Sequence, residues 1–250
     1  MILALSIVVV VVFLGGKLVN VSAENAKSME EARGVDCALH ALLKGMRTDF
    51  ESVVMLDKNQ PIFEICARDD GKGIAIFCFA TVADNGEPSV TRALCYDVLQ
   101  LGAGKVEVSR ILLDATTTLS LQGALANGSS FKKFFDGADQ SCKQVRKFDT
   151  VLSDFKIRAA VKKRNGKIFM TASNERMIFF GGALAYQKSG KSLTVPGELI
   201  FLDVTLRAFQ GRDAQKFDAV ASKDRAKAKD FLFANSRKSF GRISFNGTNF

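Results

Sequence analysis

Tryptophan is missing from this 250-residue chain, histidine occurs once, tyrosine twice and proline three times. The single histidine, His40, leaves no serine–histidine or cysteine–histidine pair to argue for, because an activated nucleophile needs a base within hydrogen-bond reach. His40 sits beside Leu39 in a stretch of helical rhythm, where packing or a surface position accounts for it. No C-x-x-C pair occurs among Cys37, Cys66, Cys78, Cys95 and Cys142, which argues against a structural zinc site. An odd cysteine count gives no tidy disulfide framework. Cys66, Cys78 and Cys95 lie in apolar, strand-like surroundings and read as buried thiols, with one disulfide among the three as the alternative. No G-x-x-x-x-G-K-[ST] phosphate loop is present, and Gly102-Ala103-Gly104-Lys105 reads as a hairpin turn. Asp69-Asp70-Gly71 lacks the further ligands of an EF-hand and also reads as a turn. Twenty-one phenylalanines without tryptophan suit a greasy core rather than a stacking platform for bases. The sequence therefore nominates no catalytic, cofactor-binding or metal-ligating residue. The expectation is a chain that is not an enzyme, with no cofactor and no small-molecule substrate.

The composition is 47% hydrophobic and 24% charged, which suffices for one sizeable core. The formal charge of +9 comes from 35 Lys+Arg against 26 Asp+Glu. Such an excess favours anionic lipid or nucleic acid without demonstrating either. The cations are spread, densest at Lys162-Lys163-Arg164 and from Lys223 to Arg242, and read as solvated faces. Three N-x-[ST] sequons, at Asn20, Asn127 and Asn246, matter only in a eukaryotic secretory route.

The first fifty residues carry the strongest pattern. Met1 to Leu14 holds no charge, and the apolar stretch reaches membrane-spanning length, about 20 residues, only by continuing through Lys17 to Val21. Val21-Ser22-Ala23 would suit a signal peptidase, but no Lys or Arg precedes Lys17 to form a basic n-region. From Met29 to Val54 apolar residues recur at spacings of three and four, among them Ala32, Val35, Leu39, Leu42, Leu43, Met46 and Phe50. Gly34 and Gly45 weaken this helix by about 1 kcal/mol each. A continuous helix from Ile2 to Val54 would span about 80 Å and lay its lower stripe on a sheet, ending at Asn59-Gln60-Pro61.

Beyond Pro61 the period changes to that of strands. Ile62–Ala67, Ile74–Ala80, Val90–Leu99 and Lys105–Leu113 read as an antiparallel meander, with Asp84–Pro88 as a loop. Thr116 to Lys147 reads as a long excursion with one short helix near Ser130–Phe135. Phe148 to Arg158 could form a strand or a short helix. Asn165-Gly166 marks a hairpin between Ala159–Lys163 and Lys167–Ala172. Further strands are expected at Ile178–Phe180, Ala183–Tyr186, Leu199–Phe209 and Ser239–Phe245, with a charged helical stretch at Ala214–Ala234. The simplest partition is one sheet domain behind one long helix: a membrane half at 1–21, then the amphipathic half and a single β-rich head at 22–250.

Ile2-Leu3-Ala4-Leu5, Met46-Arg47-Thr48-Asp49-Phe50, Leu94-Cys95-Tyr96, Val108–Leu113, Val195-Pro196-Gly197-Glu198-Leu199 with Val204-Thr205-Leu206, Gly211–Ala214 and Phe240–Phe245 form an ordered set along most of the chain. Each is unspecific alone. Together the layout resembles type IV pilin-like proteins, specifically the J-type minor pseudopilins, and is most similar to the Verru_Chthon cassette protein C group of prepilin-like proteins. The resemblance implies an α+β, pilin-like fold, a long N-terminal helix on a mainly antiparallel sheet. It further implies a single-pass subunit of a type II secretion or type IV pilus-like assembly, with its helix in the bacterial inner membrane and its head in the periplasm or outside the cell. Its partners would be other pilin-like subunits through that helix, membrane lipid and secreted cargo; nucleic acid has no support beyond the charge. The family's basic leader, cleavage motif and membrane-embedded glutamate do not occur in the sequence, and are expected just upstream of Met1. The alternative is a secreted binding or adhesion domain, released by cleavage after Ala23.

Overall fold

The computed structural model describes residues 2–56, 60–82, 89–102, 104–148, 152–188, 191–210 and 213–245, and no side chains of residues 2–10, 188 and 225. The expected Asp84–Pro88 loop and the apolar side chains at the start of the chain lie outside these described residues.

Helix α1 runs unbroken from Ile2 to Glu51, 50 residues or about 75 Å at 1.5 Å per residue. It stops before the expected Asn59-Gln60-Pro61 because the backbone leaves the helix to pair with a strand. The Val54 N–H donates to the Phe79 carbonyl, and the Thr81 N–H to the Ser52 carbonyl.

The expected meander is present as β1 (Phe63–Ala67), β2 (Gly73–Val82), β3 (Val90–Gly102) and β4 (Lys105–Leu113), each antiparallel to the next. Gly73 makes the first hairpin at φ +133°, where a Cβ would run into the Val98 carbonyl. Alternation on β2 explains its continuous apolar run. Ile74, Ile76, Cys78 and Ala80 face the main core, while Ala75, Phe77 and Phe79 face a second one on the other side.

The stretch from Thr116 to Lys147 is more structured than expected. It holds helices α2 (Ala115–Ala126) and α3 (Phe131–Gly137), a 3-10 turn (Gln140–Cys142) and strand β5 (Lys143–Lys147). The sequence ATTTLSLQGALA has weak helix propensity. It is held by the N-cap, where Asp114 Oδ1 accepts from the Thr117 N–H at 2.7 Å, and by Leu121 and Leu125 packing under the sheet.

The rest follows as β6 (Asp154–Lys162), β7 (Ile168–Met170), β8 (Met177–Phe180), β9 (Ala183–Lys188), β10 (Lys191–Pro196) and β11 (Glu198–Phe209). Then come α4 (Asp213–Ala221), α5 (Arg225–Asn235) and β12 (Ser236–Ser244). Asn165-Gly166 does turn a hairpin, β6 to β7. The Ala214–Ala234 stretch is two helices rather than one, because Asp224 caps the second by accepting from the N–H groups of Ala226 and Lys227.

The strands form two sheets rather than the single one expected. One has eight strands in the order β10-β9-β8-β1-β2-β3-β4-β5; the other has four, β12-β11-β6-β7. Their inner faces share one core, with Ile65, Ile76 and Tyr96 from the first sheet and Ile157, Leu202 and Val204 from the second. Into the same core goes the last third of α1. The class is therefore α+β: a long N-terminal helix whose base is packed with two antiparallel sheets.

Candidate functional site

Helix α1 changes character along its length. Ala32, Leu39, Leu42, Leu43, Met46 and Phe50 are buried, at spacings that keep one stripe against the sheets. On the other side of that boundary every described residue from Val11 to Glu31 is exposed except Gly15, which is half-buried. Phe13 is 68% exposed and Leu18 71% exposed. A helix of globular proteins normally hides such residues. Here a rod bearing Val11, Val12, Phe13, Leu14, Leu18, Val19 and Val21 stands free of the head.

The head grips the rod at three levels. Where α1 leaves the head, the Gln210 amide donates to the Ser28 carbonyl at 2.5 Å and to Ser28 Oγ at 3.1 Å. Midway, Leu43 presses on Gly241 of β12, and a Cβ built on that glycine would sit 3.0 Å from Leu43 Cδ2. Just beyond, Arg47 donates to the Arg242 carbonyl at 3.0 Å. The helix thus lies along β12, and the end of that strand next to Phe209 marks the end of the head from which α1 emerges.

At the base of the rod sits a polar cluster in which Asp49 and Tyr96 are buried and Arg110 is half-buried. Arg110 of β4 donates to both carboxylate oxygens of Asp49 of α1, at 2.6 Å and 2.8 Å, and the Tyr96 hydroxyl of β3 donates to Oδ2 at 2.5 Å. Burial and the Asp49 charge together push the Tyr96 hydroxyl well above its usual range, so it stays a donor. Burial acts to lower the Arg110 guanidinium, but its bonds to Asp49 outweigh that and raise it. Phe50 packs edge-on against Phe63 and Tyr96, with ring centroids 5.5 Å and 5.4 Å apart. Beside the cluster lies a groove of about 840 Å³, walled by Lys44, Thr48, Arg110, Gln144, Arg146 and Phe148. Sequence reasoning did not single out Asp49, Tyr96 and Arg110 as a unit. Each stands in a different motif of the resemblance, and only the pairing of β3 with β4 beneath α1 brings them together.

The other residues singled out from sequence do not converge. His40 is exposed on α1. Asp70 accepts the Lys72 N–H at 2.8 Å inside the β1–β2 turn, and Asp69 pairs with Lys132. All five cysteines are free: Cys66, Cys78 and Cys95 buried, Cys37 exposed and Cys142 half-buried. Burial first, then the nearby Glu64 charge, pushes the Cys66 thiol up to about 12. On the far side of the large sheet a smaller cavity of about 320 Å³ is floored by Phe77, Cys95 and Ile111. Of its rim ions, Arg68 pairs with Asp97 and Lys132 with Asp69. Among the described residues no group of His, Cys, Asp and Glu is placed to hold a metal ion, and no helix is long and apolar enough to cross a membrane.

The geometry defines a class, a head of two sheets carrying a protruding apolar helix. Comparison with family models, curated proteins and solved structures finds no match to the chain.

Proposed function

We propose that this chain is a non-enzymatic, membrane-anchored, pilin-like subunit, a minor pseudopilin of a type II secretion or type IV pilus-like assembly. The observation that carries the reading is the free apolar length of α1, continuous with a base locked into the head. An exposed stripe of Val, Phe and Leu is costly in water, at about 25 cal/mol per Å² of apolar surface. Lipid removes that cost, and so do the helices of sister subunits. A subunit of this shape waits in the bacterial inner membrane as a single-pass protein and passes into a filament when neighbouring helices offer the same apolar surroundings. Its head stays in the periplasm or outside the cell, where it meets partner subunits and secreted cargo.

A second reading has its own support. The segment around Ala23 is exposed, and the core begins only at Ala32, so cleavage after Ala23 would leave the head's packing untouched. One experiment separates the two. The gene is expressed with its native upstream sequence, the cells are fractionated and the mature protein is sequenced from its N-terminus. The anchored subunit is found in the inner-membrane fraction with the Ile2–Leu14 stretch intact. A soluble product beginning at Glu24 overturns the anchored reading in favour of a secreted binding or adhesion domain.

A further inference from the structure

We propose that the α4–α5 hairpin is a second membrane contact, which docks the head on the headgroups of an anionic bilayer beside the point where α1 enters it. The proposal rests on the anchored reading and adds to it a lipid class and a surface.

Its first support is position. The hairpin is inserted between Phe209 and Ser236, which pair with each other at the end of β11 and β12. Gln210, the next residue after β11, holds Ser28 of α1. The hairpin therefore sits at the end of the head from which the apolar rod emerges. Ser28 lies seven residues past Val21, about 10 Å along the helix at 1.5 Å per residue. A headgroup layer is about 5–8 Å deep on each side of a bilayer. The Debye length at physiological ionic strength is about 8 Å. A bilayer whose apolar edge falls at Val21 thus brings its phosphates within electrostatic range of this end of the head.

The second support is charge. Three acids of the hairpin are already engaged: Asp213 with Lys216, Asp218 with Lys105 of β4, and Asp224 with Lys227. Among the described residues no ion pair occupies Lys223, Lys229, Arg237 or Lys238, and all four are exposed. Asp230 is the one acid left among them. The third support is an aromatic on α5 itself, one turn after Lys229. Phe233 is 50% exposed, with the Arg207 guanidinium 4.4 Å from its ring centroid. Exposed cations interleaved with an aromatic side chain suit the bilayer interface, where a ring sits at headgroup level and lysines reach phosphate. The small core of Phe209, Phe217 and Ala228 holds the hairpin on the sheet, so its surface is presented rather than folded away.

The test uses the full chain in nanodiscs of phosphatidylcholine alone and of phosphatidylcholine with phosphatidylglycerol. Amide hydrogen exchange is followed at 213–238 and at 2–21. The expected result is slow exchange at 2–21 in both discs, with added protection at 213–238 only in the anionic disc and lost in high salt. Lys223→Glu and Lys229→Glu, both at exposed positions, should each reduce that added protection about five-fold and leave the β-strands unchanged. Equal exchange at 213–238 in the two discs, with 2–21 still protected, overturns the docking proposal alone. Fast exchange at 2–21 in both overturns the anchor itself. Protection of the hairpin by short duplex DNA, without any response to phosphatidylglycerol, also overturns the lipid assignment.

Discussion

Asp49 is where the rod, β3 and β4 meet, and its energetics set the first prediction. Removing one partner from a buried, hydrogen-bonded ion pair costs about 3–5 kcal/mol, because the other charge is left without its counter-ion. Arg110→Met should therefore lower unfolding free energy by about that amount in urea titrations. Tyr96→Phe, which removes one hydrogen bond to a carboxylate, should cost about 1.5–3 kcal/mol. Glu64 gives a pH test. It is buried on β1, and burial raises its carboxyl above the ordinary 4.5 despite Arg176, a backbone bond at Phe131 and Lys132 acting the other way. The folded state thus binds more protons than the unfolded one between the two pKa values, so this group's contribution to stability falls as pH rises from 4.5 through the raised value. Glu64→Gln should flatten that slope and gain on the parent at pH 7.5 relative to pH 4.5; parallel stability profiles for the two proteins would contradict it. The thiols give a further test. An alkylating reagent at pH 7.5 should modify Cys37 and Cys142 in the native protein and all five cysteines in denaturant, read by mass spectrometry.

At the scale of elements, the close approach of α1 to β12 depends on a missing side chain. Gly241→Val should push Leu43 out of its seat and cost about 1–3 kcal/mol, with part of the loss recovered when Leu43→Ala is added. The helix, the four-strand meander and the Asn165-Gly166 hairpin were legible because their signals are local: three-and-four spacing from Ala32 to Phe50, branched and aromatic runs, and an Asn-Gly turn. Helix α2 was not, because ATTTLSLQGALA becomes helical only when Asp114 caps it and a sheet lies beneath Leu121 and Leu125. The division into two sheets was hidden for a similar reason. Nothing in the sequence of β6 or β11 says which neighbour it will choose, and the choice is made by long-range pairing. The buried Asp49 cluster was equally out of reach, since its three members are brought together across 47 and 61 positions of sequence.

For the whole molecule, the division of α1 into an exposed and a buried part predicts where the protein comes apart. Trypsin acting on the membrane-embedded chain should cut at Lys27 or Arg33, releasing a folded head and leaving a fragment containing Lys17 behind; the fragments are identified by mass. Cuts confined to the head would contradict this division. The same arrangement has a mechanical side. From Ala32 to Phe50 the helix overlaps the head for about 27 Å, lying beside β12 instead of meeting it end-on. A tug on the free end therefore loads the seats of Leu39, Leu43, Met46 and Phe50 together, in shear, instead of peeling them away one at a time. How long such a joint survives under tension is set by its unfolding rate rather than its equilibrium stability. A side-by-side seating lets force travel down the rod without detaching what it carries.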